Sequence, residues 1–346
     1  MSTTAAPSGF RVLVGVASLV VVVAGLKAAA GFFLPVLLGF FLAILAAPLL
    51  SALLRRRVPG WLAILLTLIF LLVLVAAFAV FVAGSLDKVS ALAPQYQERI
   101  QELSLPLLGR LQGWGVDIST TNLEKLLKVD QLFGFLAGAL GKAAALLSEG
   151  FLVLLITAFL FVEGLSFRRK VARIFGGDAA VMRRLDRISE EVQRYLVIKT
   201  AVSALTGFVI GVWLWIMGLD LPVFWGVTAF ALNYIPNVGA VISGVPAVLL
   251  ALVQLGPGPA LGVVAAYTVP HFVIGNFLEP AVMGKHLGLS PVVVLLSLLF
   301  WGWVWGIVGA LLAVPLTMVI KILLENLPGF TWLSALLEQA PASEAP

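Results

Sequence analysis

The sequence predicts an all-α, polytopic membrane protein with about eight membrane-embedded helical segments, two of them long and interrupted. Three observations carry that prediction. Of the 346 residues, 61% are hydrophobic and 11% charged, against about 25% charged in a soluble domain, so the chain cannot cover a water-facing surface with polar groups. The apolar residues come in long blocks rather than at amphipathic spacing, and a run of about 20 spans the hydrocarbon core. Two of the blocks near the C-terminus are too long for one crossing and are broken by Gly and Pro.

The apolar runs fall at 12–30, 34–53, 61–86, 146–162, 197–217, 222–255, 260–277 and 291–324. Residues 1–86 hold the N-terminal transmembrane helices. Met1 to Phe10 lacks the basic start and small-residue cleavage site of a signal peptide, so the first run is expected to be retained. Arg55, Arg56 and Arg57 form a short basic loop, which the positive-inside rule places in the cytoplasm together with the N-terminus.

The third run then exits, leaving 87–145 outside. Its charges are balanced, and Leu92, Tyr96, Ile100, Leu103 and Leu107 recur at helical spacing, so an amphipathic helix on or near the membrane surface is expected. Thr121 and Glu124 fit a capping box before a second short helix over 123–129. The fourth helix, within 146–165, returns the chain to a basic cytoplasmic segment, 166–199. There nine Lys and Arg from Arg168 to Lys199 face only Asp178, Asp186, Glu190 and Glu191. Such a segment reads as an anchor to anionic head groups rather than a nucleic-acid site, which would need motif or aromatic support.

The last membrane region, 200–325, is read as a transport core followed by a cytoplasmic tail, 326–346. As a straight helix each long run would measure roughly 50 Å against a core of about 30 Å. The first is broken at Asn233-Tyr234-Ile235-Pro236-Asn237-Val238-Gly239, with Gly244 and Pro246 following; the second contains Gly302, Gly306, Gly309 and Pro315. Two schemes fit. Single crossings put Lys285 and His286 outside, whereas re-entrant hairpins put them in the cytoplasm. The basic pair and the excess length favour hairpins. Phe224-Trp225-Gly226 answers Phe300-Trp301-Gly302, and Gly244-Val245-Pro246 answers Ala313-Val314-Pro315, as in a loose repeat. Paired interrupted segments are the sequence pointer to a transporter binding site.

Polar groups at membrane depth are costly and each needs a reason. Asn233, Pro236, Asn237 and Gly239 mark the first break, where amides and freed carbonyls would line a polar cavity or merely satisfy one another. Asn276 and Glu279 close the seventh run before Pro280; Glu279 would bind a cation or exchange a proton, or else pair with Lys285 at the interface. His271 stands as a relay candidate or as a histidine bonded to a neighbouring helix. Glu163 reads as interfacial, and Trp301, Trp303 and Trp305 as packing.

Chemistry is narrowed by what is missing. With no cysteine there is no disulfide, thiolate or Cys-ligated metal, and His271 and His286 are too few for a histidine-built metal site. No Walker loop, His-Glu-x-x-His or Gly-x-Ser-x-Gly appears, and no Asp falls inside a run. The reading is therefore a transporter rather than an enzyme, with no catalytic residue, cofactor or metal, driven by a gradient or facilitative.

The ordered motifs Ala231-Leu-Asn-Tyr-Ile-Pro-Asn-Val-Gly239, Gly244-Val-Pro-Ala-Val-Leu-Leu-Ala-Leu252, Asn276-Phe-Leu-Glu-Pro280, Gly284-Lys-His-Leu-Gly-Leu-Ser-Pro291 and Gly309-Ala-Leu-Leu-Ala-Val-Pro315 resemble the autoinducer-2 exporter (AI-2E) family of bacterial transporters. The match is densest from Asp186 to Glu325. Asn237 stands where the family often has an aromatic residue, and Ser290 where a histidine is common. The resemblance implies an inner-membrane exporter of a small polar solute of the autoinducer-2 type, acting in quorum sensing, with both termini cytoplasmic. It also implies a homo-oligomer, a pentamer among the assemblies it allows. A sodium/proton antiporter taking a monovalent cation is the alternative, with Glu279, His271 and Lys285 as coupling groups; a non-transporting membrane scaffold is the second. The substrate-binding set is Asn233, Pro236, Asn237, Gly239, Asn276 and Glu279.

Overall fold

The computed structural model describes residues 9–113, 134, 137–138, 141, 150–174, 179–236, 238–283, 289–326 and 331–337. Among them there is no strand, and five helices are long and apolar enough to cross a membrane. Helix α1 (Gly9–Ala28) runs into α2 (Ala30–Arg55) through Ala29 alone. The bonds Ala29 N–H to Gly25 and Phe33 N–H to Ala29 bridge the join, so it is a bend rather than a loop. A tight turn at Arg56 and Arg57, the latter with φ 62°, leads into α3 (Gly60–Gly113). The three arginines mark what is called here the basic end of the bundle.

The third run and the first part of the expected amphipathic helix beyond Leu86 form one element. Helix α3 continues unbroken for 54 residues, about 81 Å, far beyond a hydrocarbon core of about 30 Å. Charge at Asp87 and Lys88 does not stop a helix, and α3 also carries Pro94 and Pro106 inside it. The second short helix expected over 123–129 lies outside the described residues. Helix α4 (Gly150–Ile174) packs on α2, where Thr157 Oγ1 donates to the Val153 carbonyl at 2.8 Å and approaches that of Gly39 at 3.3 Å. Glu163 on α4 is exposed and paired with Lys170 at 2.7 Å.

Helix α5 (Ala179–Ile216) joins the basic segment and the fifth span into one element. After it, α6 (Pro222–Leu232) and α7 (Val238–Gln254) form a hairpin. The proof is at its root. Gln254, the last residue of α7, accepts the Asp220 N–H at 2.9 Å and donates to the Gly218 carbonyl at 3.0 Å, beside the start of α6. Pro222 begins α6 at a position that needs no amide donor, and Trp225 Nε1 donates to the Asp220 carbonyl at 3.1 Å. Where α5 and α6 cross, a Cβ on Gly226 would stand 2.7 Å from the Gly207 carbonyl, so only glycine allows the approach. At the tip, a Cβ on Gly239 would run into the Leu232 carbonyl; glycine there lets α7 begin against the end of α6.

Helix α8 (Pro257–Val273) passes through a π-helical turn, Ile274–Leu278, into the short α9 (Glu279–Met283). Pro280 has no N–H for the Asn276 carbonyl, and the turn widens so that the Glu279 N–H bonds to Ile274 instead. Helix α10 (Pro291–Asn326) is then broken at Trp305 (φ −127°, ψ 15°) and Gly306 (φ 64°, ψ −144°). It too folds back: Trp301 Nε1 donates to Thr317 Oγ1 at 3.3 Å, across 16 residues that a straight helix would separate by about 24 Å. Finally α11 (Thr331–Leu337) docks at the root, its Leu337 carbonyl accepting the Ser290 N–H at 3.0 Å.

The two hairpins point in opposite directions. The root of the first packs against Val82, Val89 and Tyr96 of α3, far from the basic end, and Tyr96 donates to Asp220 Oδ2 at 2.6 Å. The arms of the second pack against Val192, Tyr195 and Leu196 at the basic end, while its tip reaches Val23, Leu26 and Phe33 at the α1–α2 bend. The loose repeat is therefore not a structural one. Trp225 sits at a root and Trp301 beside a tip, although each makes an edge-to-face pair with its preceding Phe, at 5.1 and 5.0 Å.

Candidate functional site

A cavity of about 470 Å³ opens where the tip of the first hairpin meets α5, the π turn and the roots of the second hairpin. Its polar wall comes from Tyr195 and Lys199 on α5, Asn233 at the first tip, His271 on α8, and Asn276 and Glu279 around the π turn. Pro236, Ala240, Pro291, Val294 and Val314 supply apolar wall. Lys199 lies within the candidate span Ser189–Ile216 of α5, past Glu190, Glu191 and Arg194 and at the start of its continuous apolar run.

Each polar group is held by a local cause. Asn233 ends α6, and its Nδ2 donates to Ser203 Oγ on α5 at 3.0 Å, tying the tip to the long helix. Its amide thus reaches a neighbouring helix, while the loosened backbone closes on itself through Ile235 N–H to Leu232 and Gly239 N–H to Ile235. Thr200 Oγ1 donates to the Leu196 carbonyl at 2.6 Å, so the Tyr234 hydroxyl, also 2.6 Å away, must donate to Thr200. The π turn aims Asn276 at the cavity, its Nδ2 bonded to the Phe272 carbonyl at 3.0 Å.

His271 bonds its own helix rather than a neighbour. Its Nδ1 lies 2.8 Å from the Tyr267 carbonyl, which only accepts, so Nδ1 carries the proton. The Nε2 is buried with no protein partner. Glu279 Oε1 accepts from Lys199 Nζ at 2.8 Å, with side-chain exposures of 5% for Lys199 and 21% for Glu279. Glu279 thus pairs with Lys199, a residue that sequence reasoning assigned to the cytoplasmic basic segment, while the expected pairing with Lys285 falls outside the described residues. Asn237 and Lys285 lie outside the described residues.

The structure brings together Asn233, Pro236, His271, Asn276 and Glu279 of the sequence-derived set. Gly239 shapes the tip instead of lining the cavity. Sequence reasoning missed Tyr195, Lys199 and Ser203, although their spacing of four along an apolar helix was a readable signal of one inward polar face. Among the described residues no group of His, Asp and Glu could hold a metal ion. The cavity offers amides, an imidazole lone pair and a neutralised ion pair, which suits hydrogen bonding to a small polar solute.

A family model described as AI-2E family transporter matches residues 16–329. The AI-2 transport protein TqsA of Escherichia coli (strain K12) is 36% identical over 336 residues, covering 95% of this chain and 96% of the relative. A putative transport protein of Haemophilus influenzae is 35% identical, over 94% and 96%. The putative transport protein YhhT of Escherichia coli (strain K12) is 33% identical, over 95% of each.

Proposed function

This chain belongs to the AI-2E transporter family, and from that premise we propose that it exports a small, hydroxyl-rich solute of the autoinducer-2 type through the cavity at the first hairpin tip. The observation that carries the reading is the convergence of Asn233, His271, Asn276 and the Lys199–Glu279 pair on one cavity of about 470 Å³ inside an otherwise apolar bundle. Hydroxyl groups both donate and accept, and the wall offers both kinds of partner. The name of the relative TqsA, AI-2 transport protein, supports the same solute.

The basic end is assigned to the cytoplasm of the inner membrane, with the C-terminus on that side. The first hairpin then enters from outside and the second from inside, so that the cavity can be sealed from either face by a different hairpin. A homo-oligomer is the proposed assembly. Driving force comes from the solute's own gradient or a coupled one.

Purified protein in liposomes loaded with autoinducer-2 should release it at a rate that falls about tenfold, the effect of roughly 1.4 kcal/mol, in Asn233→Leu and Asn276→Leu. Equal release from the variants and the native chain would remove the cavity from the path, and release no faster than from empty liposomes would leave the scaffold reading. The Glu279 carboxylate favours a second reading, sodium/proton antiport, in which Glu279→Gln abolishes cation-driven proton flux.

A further inference from the structure

Glu279 is the one carboxylate lining the cavity among the described residues. In a cation-coupled carrier such a group needs the travelling ion as its counter-charge, because an isolated carboxylate inside a span is strongly disfavoured. Here the counter-charge is already present. Lys199 Nζ stands 2.8 Å from Glu279 Oε1, with its side chain only 5% exposed.

The ammonium is fixed in place by its helix. Leu196 and Ser203, one turn to either side on α5, are fully buried, and Ser203 is bonded to the Asn233 amide. Around the cavity, Glu279 shares the wall with the protonated-Nδ1 ring of His271 on α8, the amide of Asn233 from the first hairpin, and apolar Pro291, Val294 and Val314 from the second; α5 adds Tyr195.

We infer that Lys199 is a built-in counter-ion: it occupies at Glu279 the place of a coupling cation, so that this chain moves its solute without obligatory sodium or proton exchange. A tethered ammonium pays none of the translational entropy that a dissolved ion loses on binding. It also donates directly to the carboxylate in a charge-assisted hydrogen bond. With the pair intact the cavity is electroneutral, and carrying a neutral solute past it moves no net charge. The inference rests on the cavity being the solute site, and it decides between facilitated export and cation antiport.

The test uses the purified full chain and three probes: autoinducer-2, ²²Na⁺ and a pH-sensitive dye. In liposomes, native efflux of autoinducer-2 is expected to stay within about twofold when sodium is replaced by choline or the pH difference is collapsed, whereas a step moving one charge would respond about 50-fold per 100 mV of membrane potential. In detergent, the native chain should bind no ²²Na⁺ above background. Lys199→Met should gain saturable binding, and Lys199→Met/Glu279→Gln should lose it again.

Native efflux that collapses without a sodium or proton gradient would overturn the inference, as would saturable ²²Na⁺ binding to the native chain that Glu279→Gln abolishes. Both native measurements stand whether or not Lys199→Met folds. Absence of any autoinducer-2 efflux would overturn the export reading alone, because the sodium-binding arm needs no solute.

Discussion

The two hairpins are made from similar runs, apolar and punctuated by Gly and Pro, but their tips are chemically different. The first turns through Asn233, Tyr234 and Pro236, and its tip is tied to α5 by polar bonds from Asn233 to Ser203 and from Tyr234 to Thr200. The second turns at Trp305 and Gly306, and its tip is a stack of Trp301 on Trp305 at 4.8 Å, pinned by Trp305 Nε1 donating to the Leu26 carbonyl at 3.0 Å. That carbonyl lies one residue short of a turn before the α1–α2 bend, where the regular helical bonds are interrupted. The polar tip borders the cavity, whereas the aromatic tip docks into an apolar cluster with Phe33 and Leu34. The contrast teaches that a Gly/Pro break fixes where a membrane helix turns, and that the side chains beside the break decide whether the turn serves a solute or an anchor.

The largest expected effect is at the ion pair beside the polar tip. Lys199→Met alone leaves the partly buried Glu279 carboxylate without its counter-charge and should cost about 3 kcal/mol, the low end for a buried pair, read as a lower unfolding temperature by tryptophan fluorescence in detergent. Adding Glu279→Gln should restore most of that loss, and a double variant no better than the single would break the account of the pair. Next, Gly239→Val drives a side chain into the Leu232 carbonyl and should open the polar tip, abolishing efflux of autoinducer-2.

The matched change at the other tip, Gly306→Ala, meets no atom within 4 Å but places a Cβ at φ 64°, ψ −144°. A cost of about 1–3 kcal/mol in stability is expected there, with efflux per folded molecule retained. The smallest effect is Trp305→Phe, which removes the donor to Leu26 and should cost about 1 kcal/mol without changing efflux. If the tryptophan variant lost efflux as Gly239→Val does, the division between the tips would be wrong.

Much of this was legible in the residues. Excess length with internal Gly and Pro located both hairpins, and the rule that polar groups within apolar runs need a reason picked out Asn233, His271, Asn276 and Glu279, which share the cavity. Lys199 was not, because it ends a run of cations and was absorbed into that run. Only its phase with Tyr195 and Ser203 on α5 separates it. The length of α3 was not legible, because Asp87 and Lys88 mark only where the apolar run ends, while the helix goes on through Pro94 and Pro106. The opposite directions of the hairpins depend on contacts such as Trp305 with Leu26, 279 residues apart, which no local pattern encodes.

The claim that most of the account depends on is that solute occupies the cavity at the polar tip. The chain contains no cysteine, so a single one reports without background. Ala240→Cys lines the cavity, and Ile307→Cys sits exposed on the second hairpin beside its aromatic tip. Autoinducer-2 is predicted to slow maleimide labelling of Ala240→Cys about tenfold while leaving Ile307→Cys unchanged, as expected for a site about 90% occupied. Labelling of Ala240→Cys at the same rate with and without saturating autoinducer-2 would contradict it.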